Sequence, residues 1–332
     1  MALEFSFTTP IYLKFMNPDW VSPDSLVEIA RIGEEVGYDE IAVFDHFLEP
    51  PEWQPSYATN SYDPMPLLGF LAAHTSEIRI ASATINIPYR HPAVMANELA
   101  TIDKLSGGRL CIGLAAGYLA EEYDTLALDF ANRGAIADEY LAAMIELWSN
   151  EYASFSGEYV NFNEVKLASF PVQKPHPEVW IHGGNLRALR RAISYGKGWG
   201  PIVGPGLSSD AGSTDFTIGS TDADTTDDPY AELVQALGQE HPGVHVPHSK
   251  TYTWMTEVLE REREAIEARD EPLGLWLNFR VDKTMVGDAN ALIEEQVERG
   301  ATKLSVGINA ESLEDHNATL RLIGEQVLPN WR

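Results

Sequence analysis

The sequence predicts an α/β fold, a (β/α)8 barrel with insertions. Three observations carry that prediction. Eight short apolar runs alternate with stretches of helical periodicity, the pattern of parallel strands each returned by a helix. The runs tend to be continuously apolar rather than alternating, as expected of strands covered on both faces. The length, 332 residues with 44% hydrophobic content, suits one large core. Residues 1–332 therefore read as one barrel domain, with a flexible insertion at about 204–250.

Taken in order, Ile11-Tyr12-Leu13 is the first predicted strand. Asp24–Val36 is helical, with Leu26, Ile29 and Ala30 inward and Gly37 as the stop. Tyr38–Phe44 is the second strand and runs into Asp45-His46. The loop from Leu48 to Asp63 carries Trp53, Tyr57 and Tyr62 and suggests a lid or substrate wall. A helix over Pro66–His74 precedes the third strand, Ile78–Ile85. Pro92–Leu105 is the next helix, and Leu110–Leu114 the fourth strand. Arg133–Ser149 is a long helix, and the segment around Ser156-Gly157 reads as an antiparallel excursion. Glu178–Ile181 is the fifth strand, Leu186–Tyr195 a helix and Gly200–Val203 the sixth strand. The stretch Gly204–Asp228 is rich in Gly, Ser, Thr and Asp and buries little apolar surface. Thr251–Ala268 is helical, Leu273–Val281 the seventh strand, Ala289–Arg299 a helix and Thr302–Val306 the eighth strand. The Leu313–Val327 helix closes the barrel.

The net charge of −27 repels phosphate backbones and anionic lipid, so neither nucleic acid nor membrane is an expected partner. No apolar run is long enough for a membrane span. One cysteine, Cys111, excludes a disulfide framework and, with no signal-peptide pattern at the N-terminus, points to a reducing, cytoplasmic setting. An anionic cofactor would need a local site of backbone N–H groups or a few basic side chains.

The candidate chemistry sits where predicted strands end. Leu105–Glu122 reads as turn, strand and glycine loop: Ala115-Ala116-Gly117 would let a flat ligand lie on bare backbone, and Tyr118 could stack on it or bond to it. The bland alternative is a close-packed turn. At the second strand end, His46 can exchange a proton near neutral pH and Asp45 can orient it or meet a ligand; alternatively Asp45 caps and His46 packs. Gly183-Gly184-Asn185 opens a helix, where free N–H groups favour phosphate. Asn185 also fits as a plain N-cap. Glu121 and Glu122 read as a solvated face. His241, His245 and His248 lie among prolines that break helical spacing, so no metal site is expected.

Several blocks in order, YDEIAVFDHF, then IRIASATINIPYRHPAVMANELATIDKLSGGRLCIGLAAGYLAEEY, RGAIADEYLAAMIELW and PVQKPHPEVWIHGGNLRALRRAISYGKGW, resemble the bacterial-luciferase-like superfamily of flavin- and F420-dependent oxidoreductases. The resemblance spans nearly the whole chain. It implies a barrel whose cofactor ring sits at the C-terminal strand ends. By the same resemblance, His46 is the acid–base group and Asp45 contacts the ring. Ala83, Thr84, Asn86, Gly117 and Tyr118 would border the ring, and Gly183, Gly184 and Asn185 would hold the phosphate, helped by Arg187, Arg190 or Arg191. A non-proline cis bond at Ala83–Thr84 is a further implication. Tyr118 stands where some deazaflavin relatives carry a catalytic Glu, which argues against sugar-phosphate dehydrogenase chemistry.

The GYLAEEY and HGGN blocks look most like the F420-dependent branch. The leading expectation is hydride transfer between coenzyme F420 and a small organic substrate. The alternative is an FMN-dependent monooxygenase served by a separate flavin or F420 reductase. A third reading is a non-catalytic flavin-binding barrel, against which the joint presence of Asp45-His46 and Gly183-Gly184-Asn185 argues. The resemblance also implies a homodimer.

Overall fold

The computed structural model describes residues 2–10, 18–48, 62–201 and 252–332. The predicted insertion, the aromatic loop over 49–61 and the three histidines between 241 and 248 lie outside the described residues.

Strands β1 (Glu4–Thr8), β2 (Glu40–Val43), β3 (Arg79–Asn86), β4 (Leu110–Ala115), β7 (Glu178–His182), β8 (Gly198–Gly200), β9 (Gly274–Val281) and β10 (Lys303–Ile308) close a parallel barrel. Around it the order is β1-β2-β3-β4-β7-β8-β9-β10, and β10 returns to β1. The excursion is a two-stranded antiparallel sheet outside the barrel, β5 (Ala153–Ser156) with β6 (Asn161–Val165). Helices α1 (Pro23–Val36), α2 (Pro64–His74), α3 (Pro92–Leu105), α4 (Ala120–Thr125), α5 (Arg133–Ser149) and α6 (Leu186–Tyr195) fall between the strands. They are followed by α7 (Tyr252–Arg261), α8 (Arg263–Glu267), α9 (Ala289–Glu298) and α10 (Leu313–Gln326). Among the described residues no helix is long and apolar enough to cross a membrane.

Two strands differ from the sequence reading. The first barrel strand is Glu4–Thr8, where Ser6 pairs with Glu40, Phe7 with Val306, and both Phe5 and Phe7 are fully buried; the predicted strand Ile11–Leu13 lies outside the described residues. The sixth barrel strand is described over Gly198–Gly200, beginning two residues before the predicted Gly200–Val203, of which 202–203 lie outside the described residues; its glycines make room for indole and imidazole rings. A Cβ on Gly198 would lie 2.3 Å from the Trp180 ring, and one on Gly200 would lie 2.4 Å from the His182 ring.

Two apolar layers result. The main core lies between strands and helices. A smaller cluster fills the barrel itself, where Ala42, Ala81 and Ala83 on one side leave space for Trp180 and Trp276 on the other. The two indoles meet edge to face with centroids 5.6 Å apart, the alternation of small and large groups that fills a narrow barrel.

Below these rings the N-terminal strand ends are charged. Lys303 Nζ, fully buried, lies 2.7 Å from Glu40, 3.1 Å from Glu4 and 3.4 Å from Glu178. Arg79 bridges Glu40 and Glu178, each at 3.2 Å. The lysine also sits 4.5 and 4.7 Å from the Trp180 and Trp276 ring centres. Glu40, Cys111 and Glu178 bring ligand atoms close enough to hold a metal ion, but Lys303 Nζ stands among them, 3.5 Å from Cys111 Sγ. Burial and the adjacent Glu40 charge push the Cys111 thiol well above its ordinary range, with Lys303 opposing.

Candidate active site at the barrel mouth

The C-terminal end of β3 is irregular in a specific way. Ser82 pairs with Ile112 and Ile85 with Leu114, so β3 holds one residue more than β4 across Ala83-Thr84. The Ser82 hydroxyl bridges the gap, accepting from Gly113 N at 2.9 Å and donating to Gly113 O at 3.0 Å. Only glycine fits opposite the bulge, since a Cβ on Gly113 would lie 2.3 Å from Ser82 O and 2.7 Å from Ala83 O. The Ala83–Thr84 bond is trans, contrary to the cis expectation; the one cis bond among the described residues is Lys174–Pro175.

Asp45 ties the ends of β2 and β3 together. Its carboxylate accepts from Asn86 N at 3.0 Å and from Arg90 Nη1 at 2.9 Å, while Asn86 Nδ2 donates to the Asp45 carbonyl at 3.0 Å. Burial pushes the Asp45 carboxyl above its ordinary value, and the Arg90 guanidinium opposes that rise.

His46 is held from two sides. Its Nε2 lies 3.2 Å from the Tyr118 hydroxyl, with the two rings edge to face. Its Nδ1 lies 3.3 Å from Glu122 Oε1. The imidazole keeps 11% of its side-chain surface open, whereas the Glu122 side chain is fully buried. Glu122 was expected on a solvated face. The correction has a structural cause: α4 folds over the barrel mouth, leaving Glu121 exposed and turning Glu122 inward. There Glu122 also accepts from Phe47 N at 3.2 Å and from the Tyr89 hydroxyl at 2.5 Å. Burial first, then the Glu122 charge, push the Tyr89 hydroxyl up, so it keeps its proton and donates. The sequence signal was available only in part: Glu122 directly precedes Tyr123, which is fully buried and bonds to the Ala116 carbonyl.

Gly117 has φ +75°, and a Cβ there would lie 3.1–3.2 Å from Tyr123 and Tyr89. The loop therefore passes the tyrosines with bare backbone. At the end of β7, the strand next to β4, Gly183 adopts φ +146° and its carbonyl accepts from Trp199 Nε1 at 2.9 Å. Asn185 caps α6, accepting from Ala188 N at 2.8 Å. The three arginines of α6 are paired with acids: Arg187 and Arg191 with Asp138, each at 2.6 Å, and Arg190 with Glu262 at 3.0 Å. His182 ends β7 with its ring on Trp276, and burial, with Lys303 adding to it, lowers it to about 3. Its Nε2 is buried with no hydrogen-bond partner among the described residues. An orphaned polar atom, a side-chain-free loop and a helix N-terminus at one barrel end fit a planar cofactor with an anionic tail.

Comparison with known proteins places the chain in a family. A family model described as luciferase-like monooxygenase matches residues 4–209. An FMNH2-dependent dimethylsulfone monooxygenase of Pseudomonas putida is 29% identical over 176 residues, 52% of this chain and 46% of the relative. The match thus spans less than half of that protein's length. An F420-dependent glucose-6-phosphate dehydrogenase of Microbacterium testaceum is 26% identical over 325 residues, 93% of this chain and 94% of the relative. Among solved structures, a monooxygenase from Streptomyces bottropensis superposes with a TM-score of 0.75 at 16% identity, covering 99% of this chain and 100% of that one. That likeness shows the fold.

Proposed function

Because the chain belongs to the luciferase-like monooxygenase family, we propose that it is an oxidoreductase transferring hydride between coenzyme F420 and a small organic substrate at the C-terminal mouth of the barrel. When bound, the deazaflavin would supply the hydride chemistry. The observation that carries the reading is the two-sided hold on His46, by Tyr118 at Nε2 and Glu122 at Nδ1. A histidine so oriented, and still partly open, can give or take a substrate proton. Ala83, Thr84, Asn86, Gly117 and Tyr118 would border the ring, with Asp45 fixing Asn86 and the β3 end. Gly183, Gly184 and Asn185 would receive the phosphate through backbone N–H groups. Because the arginines of α6 pair with acids, the turn's own N–H groups carry that role.

The second reading, an FMN-dependent monooxygenase supplied by a separate reductase, is favoured by the sulfone monooxygenase match over 52% of this chain. The F420 reading leads because the F420-dependent relative aligns over 93%. Titrating the protein with F420 and with FMN, followed by cofactor fluorescence, tests both. Tighter binding of F420 supports the first reading and tighter binding of FMN the second. Binding of neither would remove both.

A further inference from the structure

The sequence neighbour of His46 is Asp45, yet the geometry around the imidazole is set by a residue 76 positions away. Glu122 is fully buried, and three groups converge on its carboxylate: Phe47 N and His46 Nδ1 at Oε1, and the Tyr89 hydroxyl at Oε2. A carboxylate removed from water is tolerable only when donors replace the water. Two of the three groups are donors by nature, a backbone N–H and a hydroxyl that retains its proton. An ionised carboxylate can only accept, so the third group must present a proton as well. Asp45 does not compete for this role, because its oxygens meet Arg90 and Asn86 N.

We propose that Glu122 is the positioning residue of this site: it accepts the Nδ1 proton of His46 and fixes the tautomer whose Nε2 is the proton acceptor facing Tyr118. The inference rests on the acid–base reading of His46 for its catalytic meaning, but the tautomer itself is a property of the protein alone. The opposite arrangement, a protonated Glu122 donating to bare Nδ1, places the proton on Nε2. That would leave Nε2 unable to accept a proton. Fixing the tautomer lets a histidine act on a substrate without first redistributing its own proton.

The test is nitrogen NMR of the ring in 15N-histidine protein without cofactor, at a pH where the imidazole is neutral. The signal is assigned among nine histidines by its loss in His46→Gln. The expected wild-type spectrum has Nδ1 protonated and Nε2 bare. Glu122→Gln retains that tautomer, because its amide oxygen still accepts from Nδ1 and Phe47 N, while its amide N–H donates to Tyr89. Glu122→Leu loses the preference. If Glu122→Leu fails to fold, the wild-type and Glu122→Gln spectra still decide. A wild-type spectrum with the proton on Nε2 overturns the proposal, as does a folded Glu122→Leu with an unchanged tautomer. In the loaded enzyme Glu122→Leu should lower kcat by about 10²–10⁴-fold with cofactor affinity little changed, the scale of a mis-set general base. Since the spectra need no cofactor, a protein with the expected tautomer that binds neither F420 nor FMN would uphold this assignment and remove the functional reading.

Discussion

Each end of the barrel buries a glutamate, and the two are held by opposite kinds of partner. At the N-terminal end Glu40 lies between Lys303 and Arg79, at 2.7 and 3.2 Å. Burial works against the Lys303 ammonium, but the Glu40, Glu178 and Glu4 carboxylates around it outweigh that cost and keep it charged at any ordinary pH. Over the C-terminal end Glu122 meets a hydroxyl, a backbone N–H and an imidazole. The first arrangement is locked, because moving any proton would strand a charge in a low-dielectric interior. The second contains an imidazole, whose two nitrogens can donate at one side and accept at the other. Burial of an acid thus does not mark a reactive site by itself; the protonation freedom of its partners does.

The comparison can be broken in several ways. The largest effect is expected at the locked end. Lys303→Met keeps the bulk of the side chain but leaves Arg79, among the described residues, as the one cation beside Glu40 and Glu178. It should destabilise the protein by about 3–5 kcal/mol, read as a lowered denaturant midpoint, while folded variant keeps its cofactor affinity. If stability is unchanged, the network is not holding the barrel.

His46→Ala should do the reverse. Turnover should fall by about two to four orders of magnitude, with stability within roughly 1–2 kcal/mol of wild type, since Glu122 retains Phe47 N and Tyr89. Unaltered turnover would remove His46 from the chemistry.

Gly113→Ala probes the bulge that shapes the mouth. Its Cβ would press on Ser82 O and Ala83 O, so a loss of about 1–3 kcal/mol is expected from overpacking, together with weaker cofactor binding. Normal binding in the variant would separate the bulge from the ring site.

The smallest effect concerns acid. Burial raises Glu178, but Lys303 and Arg79 outweigh it and hold the carboxyl at about 2, against an ordinary 4.5. A depressed folded value contributes stability that is present above the unfolded value and lost as pH falls through the folded one. The Glu178 share should therefore disappear between about pH 4.5 and 2. Glu178→Gln should flatten the wild-type loss over that window in denaturation curves; an unchanged slope would contradict the assignment.

Much of the fold was legible because its signals are local. Helix α1 has Ser22, Pro23 and a left-handed Gly37 at its ends, and α3 and α5 lie where their periodicity places them. The Glu4–Thr8 strand was not predicted because EFSFT alternates and is less apolar than the nearby Ile11-Tyr12-Leu13. In a barrel even the polar Ser6 is fully buried. Of the candidate site, Asp45-His46 and Gly117-Tyr118 were legible as strand-end residues, and the structure brings His46 and Tyr118 together. Glu122 was not, because an acidic pair in a short helix looks solvated until α4 is placed over the mouth. The charged floor was missed for a similar reason. Its one trace in the sequence is a charged residue opening five barrel strands: Glu4, Glu40, Arg79, Glu178 and Lys303.

The most direct test of the division between the two ends is calorimetric titration of F420 and FMN into wild type, Gly184→Val and Lys303→Met, each at a temperature where it is folded. A side chain at Gly184 would crowd the backbone N–H groups of the phosphate turn. Gly184→Val should bind about tenfold or more weakly, at least 1.4 kcal/mol, while Lys303→Met stays close to wild type. Loss of binding in folded Lys303→Met, with full binding in Gly184→Val, would place the cofactor away from the mouth and contradict the account.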